Sequence, residues 1–227
     1  MLEVIVNGGL DENKWDDAVL LTAMVFGFFK LRRSGEFLRK GAEPDADKCV
    51  RVGDCTLASN GEEVELGPEA AKHADELIAV QRTSKADQDW KGAATNTFSC
   101  SDKRLCVVAR FKRLLNLRPG HFKDPSRFLF TLSNGKVLSR GTMSAALKAG
   151  AARIGLRVAG IDVISLRAGE ASAMYHADFA VEGIQRRGRW ASDCWKVCVQ
   201  EGRTKARDVA GRMANARFSH LSLAGRG

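Results

Sequence analysis

Apolar residues fall in a few dense blocks, separated by polar stretches punctuated with glycine. The densest block, WDDAVLLTAMVFGFFKL, starts at Trp15 and is apolar at helical spacing, with Asp16 and Asp17 favouring its N-terminal end. The pattern predicts a helix over 15–40. It is too short to span a bilayer and reads as a buried core helix. Residues 41–69 are mixed, with strand-like Cys49–Val52 and Cys55–Leu57. Glu76–Thr83 and Ala93–Phe98 read as two more strands, joined by the polar loop SKADQDWKG as in a hairpin. These segments predict a small three-stranded antiparallel sheet near the N-terminal side.

The second half turns helical. Leu105–Leu117 has helical apolar spacing and is stopped by Arg118-Pro119-Gly120. Arg127–Thr131 reads as a short extended segment leading into a turn at Ser133-Asn134-Gly135. Ser139–Gly155 is an alanine-rich helix with Ser139 as N-cap, and Ser165 is expected to cap another helix through Met174. Short helices follow at Glu182–Arg187 and Asp193–Val199, and Arg203–Arg217 is a basic, helical extension. The expected fold class is α+β, mainly α, with one domain over 1–200 and a basic tail over 201–227.

Composition narrows the class. The 227 residues are 44% hydrophobic and 28% charged, as in ordinary globular proteins. No apolar run reaches membrane-span length and no signal peptide is evident, so an intracellular location, nuclear or cytoplasmic, is expected. The six cysteines form no CxxC pair and no histidine stands beside them at metal-ligand spacing, so they read as reduced thiols with no metal site and no cofactor. Charge is uneven. Residues 1–100 carry 12 Lys and Arg against 18 Asp and Glu, whereas residues 101–227 carry 24 against 9. A C-terminal half this basic points to a polyanionic partner, with nucleic acid foremost.

Five motifs carry candidate chemistry. Near the end of the first helix stands Phe28-Phe-Lys-Leu-Arg-Arg33-Ser-Gly-Glu36-Phe37. A planar guanidinium such as Arg33 can bridge two phosphate oxygens, and a carboxylate three residues on can hold it in place. By itself, Arg33–Glu36 also fits an exposed ion pair. Lys85 lies in the hairpin loop, where it is either a reaching cation or a solvated lysine. Ile164-Ser-Leu-Arg167 opens a small-residue helix. Ile184-Gln-Arg186-Arg187-Gly-Arg189-Trp190 and Ala191-Ser-Asp-Cys-Trp-Lys196-Val-Cys198 complete the set.

In this order and spacing the motifs resemble the catalytic domain of tyrosine recombinases of the phage-integrase type, over about residues 15–200. The resemblance implies a helical body with a small sheet near its start, and duplex DNA as partner. Arg33 and Arg167 match the two arginines that grip the scissile phosphate, with Glu36 supporting Arg33. Lys85 matches the general acid, and Trp190 the histidine-or-tryptophan position whose indole N–H reaches phosphate. Arg186, Arg187, Arg189 and Lys196 would be further DNA contacts.

The chain departs from the pattern twice. Ile164 stands at the histidine position of His-x-x-Arg and cannot move a proton. Cys198 stands eight residues after Trp190, where the nucleophilic tyrosine belongs. A thiol is shorter and little ionised at neutral pH, although nearby arginines would increase the thiolate. Tyr175, the only tyrosine, does not match the family position and is expected to pack. The family's N-terminal clamp domain is expected to be absent, and the basic tail could pair copies of the chain. The functional expectation is a DNA-binding, mobile-element-derived domain of the DNA recombination and integration class, with a degenerate active site. An active strand transferase using Cys198 and a decayed remnant without a role stay open.

Overall fold

The computed structural model describes residues 1–83, 92–190 and 192–199; Lys85 and the basic tail lie outside the described residues. Helix α1 (Leu2–Asn7) leads into α2 (Trp15–Phe29), in which every residue from Ala18 to Phe28 is buried. A helix apolar on all sides belongs in the interior. The Asp16 carboxylate accepts the Ser133 backbone N–H at 2.6 Å, which ties the start of α2 to a distant turn.

α2 ends at Phe29, well short of the predicted Lys40. Leu31 takes a left-handed conformation (φ 46°), and its N–H donates to Glu170 Oε2 at 2.8 Å instead of continuing the helix. A branched residue in this region costs on the order of 1 kcal/mol and persists only where its surroundings fix it. The inversion sends Lys30 and Arg32 toward the sheet and leaves Arg33 beyond them.

The sheet has four strands, not the three predicted. Strands β1 (Cys55–Ser59) and β2 (Glu62–Val64) come first, then helix α3 (Pro68–His73), then β3 (Glu76–Gln81) and β4 (Ala93–Phe98). The order is β2-β1-β3-β4 with every neighbour antiparallel, Leu57 opposite Leu77 and Ala79 opposite Thr95. The strand missed in the sequence, β2, is set by the two-residue turn Asn60-Gly61 (φ 53° and 84°), which places Ser59 opposite Glu62. Cys49–Val52, predicted as a strand, stays outside this sheet. It runs beside the extended 127–130 segment, where the Val52 N–H donates to Arg127 O and the Leu129 N–H to Val50 O.

Helices α4 (Val107–Leu117), α5 (Arg140–Arg153), α6 (Ile164–His176) and α7 (Val181–Gly188) follow, then a 3-10 turn over Asp193–Val197. Ser139 caps α5 as predicted, its Oγ accepting the Thr142 N–H at 3.0 Å. Ser165 does not cap α6. It lies inside the helix, while the Asp162 carboxylate takes the Val163 N–H at 2.7 Å. α2 packs on α4 and α6 in the main core. A second cluster joins Leu31, Ala171, Met174, Ile184 and Trp195, with Tyr175, Trp190 and Cys198 packed against it. Tyr175 is therefore a packing residue in this structure. No helix among the described residues is long and apolar enough to cross a membrane.

Two cations sit under the sheet. Lys30 Nζ donates to Leu77 O (3.1 Å) and Thr95 O (2.6 Å), and Arg32 donates to the Gln81 side chain and to Ala79 O. Burial drives the Lys30 amine from 10.5 down to about 7. Its folded value is depressed, so folding favours the neutral amine. That contribution is complete above the free-lysine range and is lost as pH falls through about 7. Lys30→Met should therefore gain stability relative to the parent as pH drops from about 10 to about 7, with a full amplitude of roughly 4 kcal/mol. Urea melts at the two pH values measure this, and a difference that does not vary with pH would mean that Lys30 stays charged when buried.

Candidate functional site

One buried carboxylate organises the site. Glu36 ends a 3-10 turn over Ser34–Glu36 and is only 2% exposed. Its Oε2 accepts the Arg33 backbone N–H at 2.9 Å and Arg189 Nη2 at 2.7 Å, while Oε1 faces Arg33 Nη1 at 3.3 Å. Its carbonyl accepts the Val50 N–H, which anchors the turn to the extended segment beside it. Burying this charge is tolerable only because it is paired and hydrogen-bonded. The same carboxylate therefore holds together the exit of α2 and the turn after α7.

Arg189 reaches Glu36 from a left-handed position (φ 54°, ψ 45°) that closes α7, with the Trp190 N–H bonded back to Gln185 O. This turn brings the Trp190 ring across Gly188. On the neighbouring helix, Arg167 donates Nη2 to Gly188 O at 2.5 Å and sets its guanidinium 4.4 Å from the centre of the Trp190 ring. Burial pushes Arg167 down to about 10. The charges of Arg33 and Arg189 act in the same direction, and Glu36 opposes them. Arg167 Nε and Arg189 Nη1 are buried N–H groups with no acceptor among the described residues. Three guanidinium groups thus surround one carboxylate, a local excess of positive charge carrying unused donors.

The structure brings Arg33, Glu36, Arg167 and Trp190 into one region, with Cys198 near Arg167. Ile164, the first residue of α6, is 66% exposed, one turn before Arg167. The Cys198 thiol is half-buried near Arg167, and its backbone oxygen accepts the Ser172 hydroxyl at 3.2 Å. Arg167 favours the Cys198 thiolate, as expected, but burial outweighs it. Burial raises the Cys198 thiol, and Arg167 offsets that only in part.

The cations named as DNA contacts divide. Arg186 is exposed. Lys196 is exposed and paired with Asp193 at 2.6 Å. Arg189 belongs to the Glu36 cluster. Arg187 turns inward, donating to Glu170 Oε1 (2.9 Å) and to Phe29 O (2.6 Å). Glu170, which the sequence did not single out, is thus a second organising carboxylate. Burial lifts it to about 7, against the pull of Arg187, while it holds the inverted Leu31 in place. The available signal was its place three residues after Arg167, an acid among small residues. Among the described residues no group of His, Cys, Asp and Glu is arranged to hold a metal ion.

No family profile matches the chain, and no curated protein matches it in sequence. Solved structures do resemble it. The XerH site-specific recombinase bound to its difH substrate in a pre-cleavage complex aligns with a TM-score of 0.60 and 16% identity, covering 92% of this chain and 51% of that one. The same recombinase in a post-cleavage complex with palindromic difH aligns with a TM-score of 0.65 and 16% identity, covering 94% and 51%. The chain has a tyrosine-recombinase fold and spans about half the length of these structures.

Gly188 tests the geometry. A methyl group there would overlap the Trp190 ring. Alanine normally stabilises a helix interior by about 1 kcal/mol over glycine. Here Gly188→Ala should instead destabilise by roughly 1–3 kcal/mol and shift tryptophan fluorescence, because the ring must leave Arg167. A stabilised variant in urea melts would disprove the stacked arrangement.

Proposed function

We propose that this chain grips the phosphodiester backbone of duplex DNA with a recombinase-type arginine site that no longer cuts. The observation that carries the reading is the Glu36 cluster. Arg33 and Arg189 pair with one carboxylate, and Arg167 lies within its field, with buried N–H groups on Arg167 and Arg189 that lack an acceptor among the described residues. Guanidinium N–H groups match phosphate oxygens in geometry and charge. The excess of basic residues over 101–227 suits the same partner. The fold shared with a recombinase whose solved structures contain its DNA substrate adds support.

The cradle is ordered before any ligand arrives. Glu36 fixes Arg33 and Arg189, while Gly188 O and the Trp190 ring fix Arg167. Fixed donors lose little freedom on binding. They would also stabilise charge on a pentacoordinate phosphate. The groups that move protons and form bonds are the altered ones. Ile164 offers neither proton nor donor. Cys198 offers a thiol that burial keeps protonated, on a side chain shorter than tyrosine's, in a reaction sensitive to small displacements. Lys85, proposed as the former general acid, lies outside the described residues. Descent from a mobile element follows from the same reading. Strand transfer by Cys198 is the second reading, favoured by its place beside Arg167.

Binding to duplex DNA should weaken on the order of 10²-fold as salt rises from about 50 to about 200 mM. Arg167→Ala and Arg189→Met should each cost about tenfold or more in affinity at fixed salt, with Arg186→Ala costing less. Fluorescence anisotropy measures all of these, and affinity insensitive to salt would refute the reading. A nicked suicide duplex should trap no covalent adduct with the parent chain. An adduct that disappears in Cys198→Ser would establish the second reading instead, while recovery of an adduct only in Ile164→His/Cys198→Tyr would mark the remaining site as intact.

A further inference from the structure

Two cysteines outside the arginine cluster make a contact that DNA binding does not explain. The segment between β4 and α4 folds back so that Cys106 becomes the N-cap of α4. Cys106 Sγ accepts the N–H of Ala109 at 3.4 Å and the N–H of Cys100 at 3.4 Å, and the residue is 1% exposed. An N-cap is normally an oxygen, because the open N–H groups of a first turn need a strong acceptor. Cys100 is exposed, its thiol 3.6 Å from Asp102 O and within hydrogen-bond reach of Cys106 Sγ. Burial alone would raise Cys106, but the N–H groups of Cys100, Ala109 and Val108 and the Cys100 thiol bring it below the ordinary value. Burial and the neighbouring sulfur move Cys100 the other way. The charged groups acting on the pair are Asp102, which raises Cys100, Lys103, which lowers it, and Lys112, which interacts with Cys106. The arrangement is an S–H donor, open to solvent, resting on a buried sulfur that the surrounding N–H groups bias toward the thiolate.

We propose that Cys100 and Cys106 form a thiol–disulfide exchange site that accepts small-molecule disulfides and closes into an internal bridge. Cys100 is the entry point, since only it meets solvent. Its sulfur attacks one sulfur of the incoming disulfide while its proton passes to Cys106. The S–S bond of the reagent breaks, and the first thiolate leaves. Cys106 then attacks Cys100 Sγ, the mixed disulfide breaks, and the second thiolate leaves. Cys106 gives up the proton it took from Cys100 as it attacks, so of the two released groups one ends as thiol and the other as thiolate. Two electrons pass from the protein to the reagent. The bridge needs little backbone movement, because the Cys100 backbone nitrogen already touches Cys106 Sγ. It pins the end of β4 to the head of α4, a helix packed on α2.

The full chain is incubated with oxidised glutathione, quenched with acid, alkylated and mapped by peptide mass spectrometry. Cys194, the other exposed cysteine, reports that the reagent is competent. The expected product is a Cys100–Cys106 linked peptide with no lasting glutathione on either residue, and a higher melting temperature. Cys106→Ser keeps an oxygen cap on α4, and in it Cys100 should stop at the mixed disulfide. In Cys100→Ser, Cys106 should stay reduced. A stable glutathione adduct on Cys100 with Cys106 present would overturn the proposal. So would a pair that stays reduced while Cys194 reacts.

Discussion

Burial of the Glu36 carboxylate is the constraint around which the rest of the site is arranged. A charge at this depth is tolerated only when hydrogen bonds and opposite charges replace its lost water. Glu36 obtains them from both sides, Arg33 just before its own turn and Arg189 from the end of α7. Two segments far apart in the chain are thereby fixed to one point. Glu170 repeats the device one layer away, binding the Leu31 N–H with one oxygen and Arg187 with the other. The break that ends α2 and the turn that ends α7 are thus each held by a buried acid, and the arginines of the site inherit their positions from these two pairings.

Charge then separates binding from bond making. Three guanidinium groups around one carboxylate leave an excess of positive charge inside a partly dry site, where attraction to an anion is stronger than in water. Gripping a phosphate requires only that. Cutting it also requires a nucleophile that ionises and reaches the phosphorus, and a group to handle the proton. Burial works against the first at Cys198, and a side chain that is two-thirds exposed hydrocarbon stands at the second, Ile164. In the proposed reading the cradle and the chemistry draw on different residues, so one can be kept when the other is altered.

Much of the fold was legible in the pattern of the chain. The α2 block, the Ser139 cap, the β3–β4 pair and the short helix before Trp190 all appear where their spacing places them. The misses have local causes. Strand β2 is three residues long, too short for a periodic signal, although Asn60-Gly61 marks its turn. The α2 helix was overextended because nothing in KLRRSGEF forbids helix. It ends where Glu170, far along the chain, captures the Leu31 N–H. Ser165 falls inside the helix, where its hydroxyl oxygen accepts the Asp162 N–H, and no side chain caps α6.

By itself the sequence determined which residue types line the site and in what order: a pair of arginines, a supporting acid, a tryptophan, and a thiol eight residues on. Motif spacing is a property of the chain, and local turns preserve it. Spacing to Glu36 singled out Arg33 over Arg32, but nothing in the chain separated Arg187 from Arg189, since neighbouring arginines carry the same charge and the same donors. Tertiary structure decided that. Arg32 and Arg187 turn inward to a strand carbonyl and a buried acid, while Arg33 and Arg189 meet at Glu36. Only the fold decides which guanidinium is spent on a strand carbonyl or on Glu170 and which is gathered at Glu36.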